Sequence, residues 1–377
     1  MSEYQYYEFQ AIDRPLTPEE QQAVARLSSR VDPHPRRAVF TYSWSDFPAS
    51  AQDILARYYD AMLYMANWGS TQLMFRFPKG LVNVGRMRQY QVKALEYSSS
   101  AVTISTAGEY AVLDIQFHDE EGGDWIEGEG WLDALVPLRD DLLRGDDRLL
   151  YLAWLEGMAF EDDLDEDALE PPVPPGLGNL TPALESFVEL FGVDEDWIRV
   201  AAEQSPEGKQ TMPGEELQRS IARLSAEEKD AFLLRLAQGE LHLELALRKR
   251  LREIAGPSRP AQVSRATRRT VGQLLAEVER RRELERKRRA KEAERKRIRE
   301  LEALAGREAA VWQEVDALIE QKKSKSYKEA IQLLLKLRDL AEYKGRAAGF
   351  QERLREIREQ YGGRSALMRH LDEAGLR

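Results

Sequence analysis

Between residues 267 and 323 the apolar residues thin out until none can form a buried face, and this constrains the chain more than any other feature. The stretch 283–297 (ELERKRRAKEAERKR) offers only Leu284, Ala290 and Ala293 among its charges. A helix polar all round stands in solvent and is held by its own charge pairs. Glu277→Arg281, Glu283→Lys287, Glu285→Arg289 and Glu292→Lys296 place an acid four residues before a base, each pair worth about 0.2–0.5 kcal/mol. The segment is therefore expected to be one unbroken helix on the order of 80 Å long. Val271, Leu274, Leu275 and Val278 would form an apolar stripe at its front, and Ile298, Leu301, Leu304, Val311, Val315, Leu318 and Ile319 one at its back. A two-stranded coiled coil fails on counting, because sustained a and d apolar positions are missing between Leu284 and Ile298. A rod joining two packed ends remains.

The rest of the chain is rich enough to build those ends. It has 377 residues, 42% hydrophobic and 32% charged, with seven Trp and no Cys. The missing cysteines remove disulfides, thiolate zinc sites and a thiol nucleophile. No basic-then-apolar leader opens the sequence, and no apolar run reaches the roughly 18 residues of a membrane span. A cytoplasmic protein is expected. The net charge of −11 hides a polarity. Residues 119–170 hold nineteen Asp or Glu against three Arg, whereas residues 264–300 hold fifteen Lys or Arg against seven Glu.

Residues 1–170 read as an α+β domain with an acidic helical extension. Strands are expected at 4–12, 37–44, 72–77, 90–97, 101–105 and 110–117, and helices at 17–29 and 51–67. Together these make a mixed sheet with two helices on one face. Thr17-Pro18-Glu19-Glu20 is a helix start with cap, Pro at the first turn and Glu three after the cap. Further helices are expected at 132–143 and 148–160. The proline-rich run 171–176 reads as a stiff linker. A small helical domain follows over 178–255, with a capping box at Ser225 and Glu228 and a break or bend at Gly239. Gly256-Pro257-Ser258-Arg259-Pro260 is a second boundary before the long charged helix (265–323). Residues 324–377 read as a helical hairpin, laid out like one tetratricopeptide-type pair, whose Leu334, Leu337, Phe350, Leu354, Leu367 and Leu371 are candidate partner-docking residues. One copy is too few for a repeat array.

No catalytic constellation is visible. His34, His118, His242 and His370 are far apart in sequence, whereas a zinc site or a nucleophilic triad needs convergent groups. Asp114, His118, Asp119, Glu120, Glu121, Asp124, Glu127 and Glu129 include oxygen donors of the type Mg²⁺ takes. The acid-x-Lys of a restriction-type nuclease is absent, and residues 113–138 contain no Lys. Neither a P-loop nor a GxGxxG nor a GxSxG elbow occurs. The sharper alternative is nucleic acid. Arg280, Arg281, Arg282, Arg286, Lys287, Arg288 and Arg289 resemble a basic-region helix, preceded by Arg265, Arg268 and Arg269, and would contact phosphates without reading sequence. Interleaved glutamates and the lack of Asn or Gln for base reading weigh against it.

The tail from Tyr327-Lys328-Glu329-Ala330 through Leu337-Arg338-Asp339-Leu340-Ala341 to Arg364-Ser365-Ala366-Leu367-Met368-Arg369-His370-Leu371-Asp372-Glu373-Ala374-Gly375-Leu376 is similar to the C-terminal ends of bacterial SWIM zinc-finger proteins. The opening Tyr4-Gln5-Tyr6-Tyr7-Glu8-Phe9-Gln10-Ala11-Ile12-Asp13-Arg14-Pro15-Leu16-Thr17 resembles that of a group of uncharacterised bacterial proteins. With no Cys, the chain departs from the zinc finger completely, so no metal site carries over. The resemblance implies a protein of a bacterial multi-component system whose tail is shared among partners. The expected function is a non-enzymatic adaptor or scaffold with the charged helix as spacer between two protein-binding ends, and no cofactor. A nucleic-acid-binding accessory factor is the alternative, and a metal-dependent nuclease or other effector enzyme stands behind it.

Overall fold

The computed structural model describes residues 4–28, 31, 33–43, 47–92, 101–119, 127–159, 165–207, 214–255 and 268–376. It divides into two compact units, Met1–Arg281 and Arg282–Arg377.

The first unit begins with β1 (Gln5–Gln10), α1 (Pro18–Ala25), β2 (Arg37–Tyr42), α2 (Ala51–Tyr58), β3 (Ala61–Ala66), β4 (Ser70–Pro78), a short α3 (Val84–Met87), β5 (Ala101–Ala107) and β6 (Tyr110–His118). The strands form one sheet in the order β2-β1-β3-β4-β6-β5. Every pairing is antiparallel, so the sheet is not mixed. The helix expected over 51–67 stops at Tyr58, and Ala61–Ala66 is a central strand instead. Its sequence AMLYMA is apolar on both faces because both are covered. Ala61, Leu63 and Met65 join the cluster on one side, and Met62 joins the cluster on the other. A strand buried on both faces loses its alternation, and its apolar residues then fit a helical spacing as well as an extended one. Tyr90 lies in a single 3-10 turn, Val92 makes one bridge to Val102, and the remainder of the strand expected over 90–97 lies outside the described residues.

Thr17 caps α1 as expected, with Thr17 Oγ1 accepting from the Glu20 amide and Glu20 accepting from the Thr17 amide. Helices α1 and α2 cover one face of the sheet through Val24, Ile54 and Leu55, with Leu16 just before α1 in the same cluster. The other face is covered by α4 (Trp131–Leu135), α5 (Pro137–Arg144), α6 (Arg148–Ala159), α7 (Pro182–Phe191) and α8 (Glu195–Gln204). Pro137, which takes the first turn of α5, divides the single helix expected over 132–143; a proline is tolerated there and not in a helix interior. The proline-rich run is docked along this layer. Tyr90 donates to Pro172 O at 2.8 Å, Ser205 donates to Pro174 O at 2.7 Å, and Leu177 is buried. Side chains from before and after that run share one apolar cluster.

Three more helices follow: α9 (Gly214–Arg223), α10 (Ala226–Ala237) and α11 (Leu243–Ala255). Ser225 and Glu228 form the expected capping box. Gly239, at φ 71°, ends α10 where a break was expected. Helix α12 runs from Val271 to Ala305 and not to 323. Its 35 residues make about 50 Å. Gly306, the residue type least suited to a helix interior after proline, and Arg307 at φ −125° separate it from α13 (Glu308–Glu320).

The second unit is built by the end of α12 with α13, α14 (Ser324–Tyr343), α15 (Ala347–Tyr361) and α16 (Ser365–Glu373). Leu301 and Leu304 of α12, Val311, Val315 and Ile319 of α13 and the apolar faces of α14 to α16 close one core. The apolar stripe assigned to the back of a single rod is therefore divided between two helices. A break lets both parts reach the same cluster.

Candidate functional site

The root of α12 is built from residues that sequence had placed among its basic arm. Thr270 Oγ1 accepts from the Gln273 amide at 3.2 Å and Gln273 Oε1 accepts from the Thr270 amide at 2.9 Å, a reciprocal cap. Before it, Arg269 is 5% exposed and clasps Glu170 through Nε at 2.5 Å and through Nη2 at 3.0 Å, while its Nη1 donates to Glu277 at 2.7 Å. The Tyr151 hydroxyl donates to the same Glu170 carboxylate. Arg268 donates from Nε to Glu170 O at 2.8 Å. These two arginines hold the helix to the first unit and are unavailable to phosphate; Arg265 lies outside the described residues. Val271, Leu274 and Val278 complete the anchor.

From Glu279 to Arg297 no side chain of α12 is buried. Two of the four expected pairs form, Glu283 with Lys287 at 2.6 Å and Glu285 with Arg289 at 2.9 Å. The other two are redirected. Arg281 reaches Glu203 of α8 at 2.6 Å, and Glu292 pairs with Arg288 at 3.3 Å. Of the seven candidate nucleic-acid contacts, Arg281, Lys287, Arg288 and Arg289 thus carry carboxylate partners, while Arg280 and Arg286 are exposed and Arg282 is half-buried.

The six candidate docking residues are not a surface. Leu334, Leu337, Phe350, Leu354, Leu367 and Leu371 are all buried, none more than 5% exposed, and form the second unit's own core. The expectation failed because a leucine stripe at helical spacing looks the same whether a partner or the next helix of the same chain covers it. Exposed leucine appears elsewhere. Helix α10 buries no residue at all. Its Leu233, Leu234 and Leu236 are 62%, 60% and 64% exposed, and Leu241 just beyond is 56% exposed. Its sequence AEEKDAFLLRLA carries the clue: apolar residues surround the axis instead of sharing one stripe, so one neighbouring helix cannot cover them. Glu228 fastens α10 to α11 through Arg250 at 2.8 Å.

The acidic candidates do not converge. Asp114 on β6 accepts from Gln72 at 2.8 Å, and burial raises its pKa. His118 meets Ser70 at 2.9 Å, and Glu129 lies 4.0 Å from Arg37. Glu120, Glu121 and Asp124 lie outside the described residues. Among the described residues no group of three or more His, Asp or Glu is arranged to hold a metal ion.

A buried ionic cluster, invisible in sequence, holds the first unit together. Arg139 of α5 is fully buried and donates to both oxygens of Asp13, at 2.8 and 2.9 Å, and to Arg76 O at 2.9 Å. Arg76 donates to Asp60 at 2.7 Å, and the other oxygen of Asp60 takes the amides of Ile12 and Asp13. The guanidinium of Arg76 lies 4.4 Å from the centre of the Tyr110 ring. His242, at φ 58° before α11, brings Nε2 within 2.9 Å of Asp13 Oδ1. Burial pushes the Asp13 carboxyl up, but His242 and Arg139 outweigh it and leave its pKa at about 2.

No helix among the described residues is long and apolar enough to cross a membrane. Comparison with protein-family models, curated proteins and solved structures finds no match.

Proposed function

We propose that this chain is an adaptor or scaffold protein of a bacterial multi-component system, with α12 as the link between its two units and α10 as a surface that binds a partner protein. The exposed leucines of α10 carry the reading. Exposed apolar surface on an otherwise charged protein marks a protein-binding site, and Leu233, Leu234 and Leu236, within one helix turn and each about 60% exposed, supply such surface. The partner suited to it offers an apolar helix or groove. Helix α12 supports the same reading, since it is anchored by apolar residues at both ends and paired internally between them.

The test is purification of the full chain from the cells that make it, after chemical crosslinking. A protein held at fixed stoichiometry, and lost in Leu233→Glu/Leu236→Glu with an unchanged thermal melt, is the expected result. Hydrolase or nuclease activity of the purified protein that disappears in Asp114→Ala would overturn the proposal.

A further inference from the structure

A second surface lies on α12 itself. Lys287, Lys291, Arg295 and Arg299 follow one another at four-residue intervals, so they share one face of the helix. All four are exposed. Like charges at this spacing oppose the helix that carries them, and a link needing only to be charged would alternate acid and base, as Glu283–Lys287 and Glu285–Arg289 do. Among the neighbouring acids Glu283 pairs with Lys287, and those further along give the row little relief. Glu292 is engaged with Arg288 and Glu294 with Arg297. Among the described residues Lys291, Arg295 and Arg299 have no ion-pair partner. The unit they belong to has a matching bias: residues 282–377 hold 25 Lys or Arg against 18 Asp or Glu, net +7, whereas residues 1–281 hold 30 against 48, net −18.

We infer that this row binds the phosphodiester backbone of a duplex nucleic acid. The row spans about 18 Å of helix, enough to cross a major groove about 12 Å wide and meet phosphates on both rims. No Asn or Gln occurs from 279 to 300, so the contact is to phosphate and blind to base sequence. The surface is distinct from α10 and stands or falls separately from the adaptor reading.

The experiment uses the full chain in a fluorescence-anisotropy titration with 25-base-pair duplex DNA and duplex RNA of unrelated sequences, from 50 to 200 mM salt. Four phosphate contacts predict a log–log salt slope of about −3.6, an affinity loss of about 100-fold over that range. Lys287→Gln/Lys291→Gln/Arg295→Gln/Arg299→Gln should lower the slope by about 3 to 4 while far-ultraviolet circular dichroism stays unchanged. Arg282→Gln/Arg286→Gln/Arg289→Gln/Lys296→Gln, directed elsewhere around the helix, should keep the slope within about one unit of the native value. A preference for DNA or RNA identifies the source of the backbone. Absence of binding to both at 50 mM salt, equal losses in the two variants, or equally tight binding of polyglutamate would each overturn the inference.

Discussion

Arg139 and Glu156 are both buried in the first unit, but among the described residues only Arg139 has hydrogen-bonding partners. Removing it in Arg139→Met leaves Asp13 and Asp60 with a buried charge and one fewer cation, a loss of about 3–5 kcal/mol that urea unfolding at pH 7 would measure. Glu156 on α6 has the opposite problem. Burial, followed by the nearby Asp194 and Asp119, raises its pKa to about 7. The folded state therefore holds the proton more tightly than the unfolded one. Stability is full below pH 4.5 and falls as pH rises to 7, by about 3 kcal/mol. Glu156→Gln should accordingly be the more stable protein at pH 8 and match the native chain at pH 4.5. Asp13 and His242 run in complementary directions. The stability from Asp13 is present above about pH 3.8 and is lost as pH falls toward 2, whereas that from His242, whose pKa is raised by Asp13, is present below pH 6.5 and is lost as pH rises. The urea midpoint of the native chain should exceed that of His242→Gln below pH 6.5, and the difference should shrink as pH rises above it. Gly157 is fixed by space, since a Cβ there would meet Val92 at 2.7 Å; Gly157→Ala should lower the melting temperature, by about 1–3 kcal/mol of stability. None of these residues stands out in sequence, because burial and partners across 47 or 126 positions are properties of the folded chain.

At the scale of elements, α10 and α14 make a matched pair of leucine helices with opposite fates. Leu334→Ala in α14 should cost about 2–5 kcal/mol, because it opens a cavity in a closed core. Leu233→Ser in α10 should change stability by no more than about 0.5 kcal/mol. Equal effects in the two urea titrations would contradict the exposure assigned to α10. Caps and exposed charge were legible, because both depend on neighbours within four residues: Thr17 with Glu20, Ser225 with Glu228, Glu283 with Lys287. The end of α12 was not. Gly306 alone is a weak stop, and the core that makes the stop useful is formed by α13 to α16. Likewise β3 carried an apolar run that suited a helix and became a strand because β1 and β4 pair with it on both sides.

Across the whole molecule, the division at Arg281 and Arg282 sets the apolar core of the second unit apart from the two clusters that flank the sheet of the first, with no buried residue in common. Full-length protein should therefore unfold in two calorimetric transitions, and a single two-state transition with equal calorimetric and van't Hoff enthalpies would show the cores to be coupled. The α+β front, the helical back and the long exposed charged helix follow from sequence alone, because composition and periodicity act locally and a segment without apolar residues has nothing to bury. Which leucines lie inside and which outside, which arginines clasp Glu170 or Asp13 and which face solvent, and where the long helix stops were decided by tertiary structure. Burial is a relation between distant segments, and identical side chains at identical spacing acquire opposite roles according to what the fold brings against them.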